Sequence, residues 1–187
     1  MGHKATASAG AVLAHHSAPL QRVLKELRAA EQTAKNAGGR DAFSIRVLKR
    51  GGGTVSTTAQ WFSKELKHPI CLLEQLAKAL GGKKMSRRAS YHAQAWLRDL
   101  PSREIVKENA MFERMLKANL QRQFKQQGGD DTDVELAGHL IDMACAIVQK
   151  SKSNDDKEDY LDEAKFLEEF LSVAEFLGRQ GRMGESS

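Results

Sequence analysis

Phe43-Ser44-Ile45-Arg46-Val47-Leu48-Lys49-Arg50-Gly51-Gly52-Gly53-Thr54-Val55-Ser56-Thr57-Thr58 alternates apolar with polar side chains, breaks at three glycines and returns in β-branched residues. A period of two puts Phe43, Ile45 and Val47 on one face of a strand, and the glycines allow the chain to fold back as a hairpin. Upstream, residues 4–14 are mostly small and apolar, with the β-branched Val12 among them. With almost no polar alternation, they predict a strand buried on both faces between neighbours, ending at His15-His16. Between the two strand signals, Pro19 suits a first helical turn. Leu20, Val23, Leu24, Leu27, Ala30 and Ala34 then recur with a 3.6-residue period. Asn36-Ala37-Gly38-Gly39 stops that helix. The first 60 residues therefore read strand, helix, strand, turn, strand.

Beyond Trp61 the β signals fade. Helical periods predict helices over 70–80, 87–98, 103–126, 132–150 and 158–179, with breaks at Gly81-Gly82, Pro101, Gly128-Gly129 and the polar run 150–159. The chain thus divides into an α/β piece, 1–66, and an all-helical piece, 67–187. Three strands under one helix provide few neighbours for a strand expected to be buried on both faces. The expectation is a C-terminal part of a larger protein, or a sheet completed by another chain.

The 187 residues carry 29 Lys+Arg and 24 Asp+Glu, a net charge of +5 that hides an asymmetry. Residues 1–127 hold 23 basic and 9 acidic side chains, against 6 and 15 in residues 128–187. A basic segment of that size suits a phosphate-bearing partner, since Lys and Arg displace counterions from phosphates. It equally suits two solvated helical surfaces of opposite sign. Two cysteines, Cys71 and Cys145, exclude a disulfide framework and a cysteine-based zinc site. No apolar run nears the ~20 residues of a membrane span, and no secretory signal opens the chain. The expected location is the cytoplasm.

Ser8-Ala9-Gly10, Ala14-His15-His16, Pro19-Leu20, Ala34-Lys35, Gly39-Arg40-Asp41-Ala42-Phe43, Lys49-Arg50-Gly51-Gly52 and Trp61 follow one another in an order and spacing that carry a resemblance. Ser86-Arg87-Arg88-Ala89, Tyr91, Trp96-Leu97, Leu100-Pro101 and Val173-Ala174-Glu175-Phe176-Leu177-Gly178-Arg179 extend it through the helical piece. The chain resembles the large palm-containing polymerase-cyclase subunit of type III-B CRISPR effector complexes, the Cmr complex. Residues 6–43 also resemble the second half of GGDEF-type cyclase palms.

The resemblance implies an α+β fold: a partial ferredoxin-like palm, GGDEF-cyclase-like, over 1–66, then a C-terminal all-helical domain over 67–187. It implies that the full-length parent joins ATP into cyclic oligoadenylate in antiviral defence when target RNA binds, with Mg²⁺ or Mn²⁺ in its palm. The implied partners are the missing N-terminal part of the subunit, the small helical and backbone subunits of the complex, guide RNA and target RNA. Lys35 and Arg40 fall where palm cyclases hold nucleotide phosphates, and Ser8 faces the same cleft. Charge-assisted donors at the end of a crossover helix and before the next strand suit that role. A cationic helix C-terminus is the plain alternative. The alternative function is a non-catalytic helical assembly and RNA-contact module. A free-standing helical adaptor unrelated to nucleotide chemistry is a third reading.

Gly128-Gly129-Asp130-Asp131 has the letters of the family's metal hairpin but lacks a strand on either side. It reads as a glycine C-cap followed by an acidic N-cap, so this chain is expected to supply neither metal ligands nor catalytic residues. Lys83, Lys84, Arg87 and Arg88 form the densest basic cluster, with Tyr91 available to stack. Contact with RNA phosphates and packing against another domain both fit it. His15-His16 reads as a strand-end pair whose rings point to opposite faces rather than as a metal site. Trp61 and Glu65 satisfy a W-x-x-x-E pattern of bacterial exchange effectors that nothing else in the chain supports.

Overall fold

The structure is a computed structural model that describes residues 6–62, 68–100, 109–152 and 163–184. The chain divides into two compact units, Met1–Pro69 and Ile70–Ser187. Its fold is α+β, with one small mixed sheet and six helices among the described residues.

The first unit holds β1 (Ala9–Leu13), α1 (Leu20–Asn36), β2 (Ala42–Leu48) and β3 (Thr54–Gln60). The sheet order is β1-β2-β3, with β1 parallel to β2 and β3 antiparallel to it. Ala9 registers with Phe43 and Leu13 with Val47, while Val47 registers with Val55. The hairpin turn is closed by Lys49 N–H on the Gly53 carbonyl at 2.8 Å, with Gly52 at φ 92°. The central strand buries Ala42, Phe43, Ser44, Val47 and Leu48. α1 lies on the sheet through Ala30 and Ala34, both fully buried. The approach is close: a Cβ on Gly10 would stand 2.5 Å from the backbone nitrogen of Glu31.

Two expectations are corrected here. Of the expected 4–14 strand, residues 4 and 5 lie outside the described residues, and among the rest only Ala9–Leu13 form β1, which is an edge strand among the described residues with Ala9 and Ala11 exposed. Its apolar composition does not match its surroundings within this chain. The periodic stripe of α1 is likewise buried only at its small residues, while Leu20 is 69% and Leu24 44% exposed.

The second unit comprises α2 (Pro69–Gly81), α3 (Arg88–Arg98), α4 (Asn109–Gln126), α5 (Asp131–Lys152) and α6 (Glu163–Gly184). The predicted residues 103–108 and 158–162 lie outside the described residues, and α6 runs beyond the predicted end at 179. α4 and α5 form a helix hairpin around Phe112, Leu116, Leu120, Phe124, Leu140 and Ile141. α6 packs along α3 and touches α5, burying Phe166, Leu167, Phe170, Leu171 and Ala174. α2 and α6 meet backbone to backbone, where a Cβ on Gly178 would lie 2.4 Å from the Ala77 carbonyl and 2.8 Å from Gly81 N. Among the described residues no helix is long and apolar enough to cross a membrane. Cys71 is exposed, Cys145 is buried, and no disulfide joins them.

Candidate functional site

Parallel strands joined by a helix bring the starts of β1 and β2 and the end of α1 to one end of the sheet. Ser8 immediately precedes β1, Lys35 sits in the last turn of α1, and Arg40 stands two residues before β2. The three predicted phosphate-site residues therefore share that end. Trp61 fixes it: its ring N–H donates to the Ala7 carbonyl at 2.9 Å and its backbone N–H to the Asp41 carbonyl at 3.0 Å. Its ring also packs against Phe43 at 5.2 Å between centroids.

The connection between α1 and β2 is unusual. Gly39, Arg40 and Asp41 have φ of 71°, 63° and 49°, three successive residues in the left-handed region. For residues with a Cβ this costs roughly 1–2 kcal/mol each. The excursion turns the chain directly into β2 and leaves Arg40 exposed. Lys35 is half exposed, and its ammonium donates to Glu31 at 2.6 Å. That bond and the charge behind it hold the Glu31 carboxyl below its usual value of 4.5. A phosphate reaching Lys35 must compete with this exposed, weak ion pair.

At the opposite end of the sheet, Arg50 contacts His15 Nε2, and Arg22 donates to the Gly52 carbonyl at 3.1 Å. The rings of His15 and His16 lie 4.0 Å apart. The opposite-faces expectation fails because the pair lies past the strand end, where the period of two no longer applies. Sequence reasoning also missed Arg46, which reaches from β2 to Glu26 at 2.8 Å and Thr33 Oγ1 at 3.1 Å, cross-linking sheet and helix.

In the helical unit, the Gly128-Gly129-Asp130-Asp131 corner is a pair of caps. Gly128 has φ 89°, and Gly129 N–H donates to the Phe124 carbonyl at 2.9 Å. Asp130 Oδ1 accepts from the backbone N–H of Thr132 and Asp133, while Asp133 Oδ2 accepts from Asp130 N–H at 3.0 Å. This is a reciprocal capping box. Asp131 pairs with Lys125 at 2.8 Å, which lowers its own pKa and raises that of the lysine. Among the described residues no group of three His, Cys, Asp or Glu side chains is placed to hold a metal.

The same corner props the basic loop. Ser86 N–H donates to the Gln127 carbonyl at 2.8 Å, and Met85 is buried. Lys83, Arg87 and Arg88 thereby line a cleft of about 390 Å³ with Met85, Ser86, Tyr91 and Arg179. Lys84 is not among its lining residues and lies 3.8 Å from Asp130 instead. Arg179 escaped sequence reasoning as a partner of this cluster, because about ninety positions separate it from Arg88. The glycine contact between α2 and α6 brings it there.

Residues 1–44 match the family model Cas10/Cmr2, second palm domain. Ser8, Lys35 and Arg40 all fall inside that stretch. No curated protein matches the chain. The similarity covers 44 of the 187 residues, and over that stretch the chain is similar to the second palm domain of Cas10/Cmr2.

Proposed function

We propose that this chain is a C-terminal part of the large subunit of a type III-B CRISPR effector complex, and that residues 1–66 supply half of a ferredoxin-like cyclase palm. In full length the subunit would synthesise cyclic oligoadenylate from ATP on target-RNA binding, in the cytoplasm, beside the small helical and backbone subunits and the guide RNA. The observation that carries this reading is the gathering of Ser8, Lys35 and Arg40 at one end of a parallel strand pair within the matched residues. The exposed edge of β1 and exposed Leu20, Leu24 and Leu27 beside it support the proposal, because they suit a strand and helix from the missing N-terminal part.

In this chain the proposed work is phosphate binding. Lys35 would exchange Glu31 for a nucleotide phosphate, Arg40 would add a second charged donor, and Ser8 would line the cleft floor. The described carboxylates do not fit the divalent metal of such chemistry: Asp130 and Asp131 serve the α4–α5 corner. No metal-dependent step is assigned to this chain.

The test is calorimetry with ATP and Mg²⁺ or Mn²⁺ on the chain alone and on its mixture with the N-terminal part of a related subunit. Nucleotide should bind only in the mixture. Lys35→Ala should weaken it by roughly ten-fold or more, the loss of one hydrogen bond to a charged group. A mixture that gains no affinity, or a variant that binds unchanged, refutes the reading.

The basic cleft of the helical unit favours a second reading, that residues 67–187 form a non-catalytic assembly and RNA-contact module. Its requirement is salt-sensitive RNA binding by the chain without any N-terminal part.

A further inference from the structure

The cleft in Ile70–Ser187 is too well furnished to be only a place where charges meet a phosphate backbone. Its lining combines four cations, Lys83, Arg87, Arg88 and Arg179, with a hydroxyl at Ser86 and an aromatic ring at Tyr91. Among the described residues none of those four cations has an acidic partner. Arg179 is positioned by its guanidinium lying 5.2 Å from the centre of the Phe176 ring, and among the described residues its buried Nε has no hydrogen-bond partner. Arg87 and Arg88 stand at the start of α3, whose first turn has no acidic residue. Positive charge at the positive end of a helix is unfavourable, and a bound anion would relieve it. Tyr91, one turn further along α3, is 57% exposed, so its ring is available to stack.

We propose that this cleft receives one nucleotide of a single-stranded RNA, its phosphate held by Arg87, Arg88 and Arg179 and its base stacked on Tyr91. This rests on the RNA-contact reading of the helical unit and adds two things to it. The contact is to an unpaired base as well as to the backbone, and α6 contributes through Arg179. A duplex keeps its bases stacked on one another and cannot offer one to Tyr91. The cleft volume of about 390 Å³ lies in the range of small-ligand pockets, which fits a single nucleotide unit.

The experiment is fluorescence anisotropy of the full 187-residue chain with a labelled single-stranded RNA, and with the same RNA as a duplex, across a salt series. The single strand should bind more tightly than the duplex. Tyr91→Ala should weaken single-strand binding by roughly five-fold to a hundred-fold while leaving the salt slope unchanged, as loss of a base stack does. Arg179→Gln should weaken it and reduce the salt slope by about one, as loss of a phosphate contact does. Arg179→Lys, which keeps the charge, should restore the slope and guards against a folding defect. If Lys83→Ala with Lys84→Ala weakens binding but Tyr91→Ala and Arg179→Gln do not, the nucleotide site is refuted and the broader RNA-contact reading survives. If the chain binds no RNA at low salt, both fall.

Discussion

Replacing Gly178 by alanine should destabilise the helical unit, whereas the same change three residues on should stabilise it. A Cβ at position 178 would sit 2.4 Å from the Ala77 carbonyl, 2.8 Å from Gly81 N and 3.1 Å from Gly81 Cα. All three are backbone atoms, so no side chain can swing aside. Relief requires α2 and α6 to part by about 1 Å, which forfeits a quarter to a half of the dispersion attraction along the contact. Overpacking of this kind costs about 1–3 kcal/mol, and a rigid backbone neighbour puts the cost at the upper end. Alanine returns about 1 kcal/mol of helix propensity, leaving a net loss of about 2 kcal/mol. Gly181 lies on the same helix with nothing within 4 Å of its Cβ position, so Gly181→Ala keeps only the gain. The two variants should therefore differ by about 3 kcal/mol, or about 2 M in urea midpoint for a slope near 1.5 kcal/mol/M. The chain has two tryptophans, one in each unit. A Trp61→Phe background makes Trp96 fluorescence a reporter of the helical unit alone. If Gly178→Ala unfolds at the same urea concentration as Gly181→Ala, or later, the backbone contact between α2 and α6 is wrong, and so is the route by which Arg179 joins the basic cleft.

Asp130→Ala should cost about 1 kcal/mol of helical-unit stability through loss of the α5 cap, and should leave calorimetric Mn²⁺ binding unchanged; metal binding lost at unchanged stability would overturn the capping assignment. Gly10→Ala should destabilise the first unit by about 1–3 kcal/mol, read from Trp61 fluorescence in a Trp96→Phe background, because its Cβ would meet the α1 backbone at 2.5 Å; a neutral effect refutes that packing. His15 should titrate by NMR below its ordinary 6.5, through desolvation, then the Arg50 charge, then His16. The native state then binds this proton less readily than the unfolded chain. The contribution of His15 is thus intact above pH 6.5 and is lost as pH falls below it. Arg50→Ala should move the midpoint upward, and an unmoved midpoint would show that Arg50 is not a cause.

Local signals located the elements well where the structure-making interactions are local. The alternation of Phe43, Ile45 and Val47, the Gly51–Gly53 turn and the Asn36–Gly39 stop mark β2, β3 and the end of α1 to within a residue or two. Asp130 was legible as a cap because a capping box is a short-range pattern. Composition misled at β1 and on α1: Ala9, Ala11, Leu20 and Leu24 read as core, yet none is buried within this chain. Apolar periodicity records that a face is to be covered, and says nothing of which polypeptide covers it. The family resemblance pointed to Ser8, Lys35 and Arg40, which the topology places at one end of the sheet, while the left-handed backbone at Arg40 had no local signature; aspartate, as at Asp41, is among the few residues with a Cβ that visit that region. Arg179 was beyond reach because only a tertiary crossing unites it with Arg88. The one available hint was Gly178 itself, a glycine inside a helical apolar period, which often marks a close backbone approach.

The uncovered strand has a consequence for the chain in isolation. Ala9-Gly10-Ala11-Val12-Leu13 carries no charge and no proline, and among the described residues nothing shields its outer hydrogen-bonding groups. Edges of that kind recruit other edges, including those of identical copies. Any segment that completed the sheet would therefore also act as its guard. Copies of the chain lacking such a cover would pair with one another through β1, so the solubility of the isolated chain becomes a measure of how open that edge is.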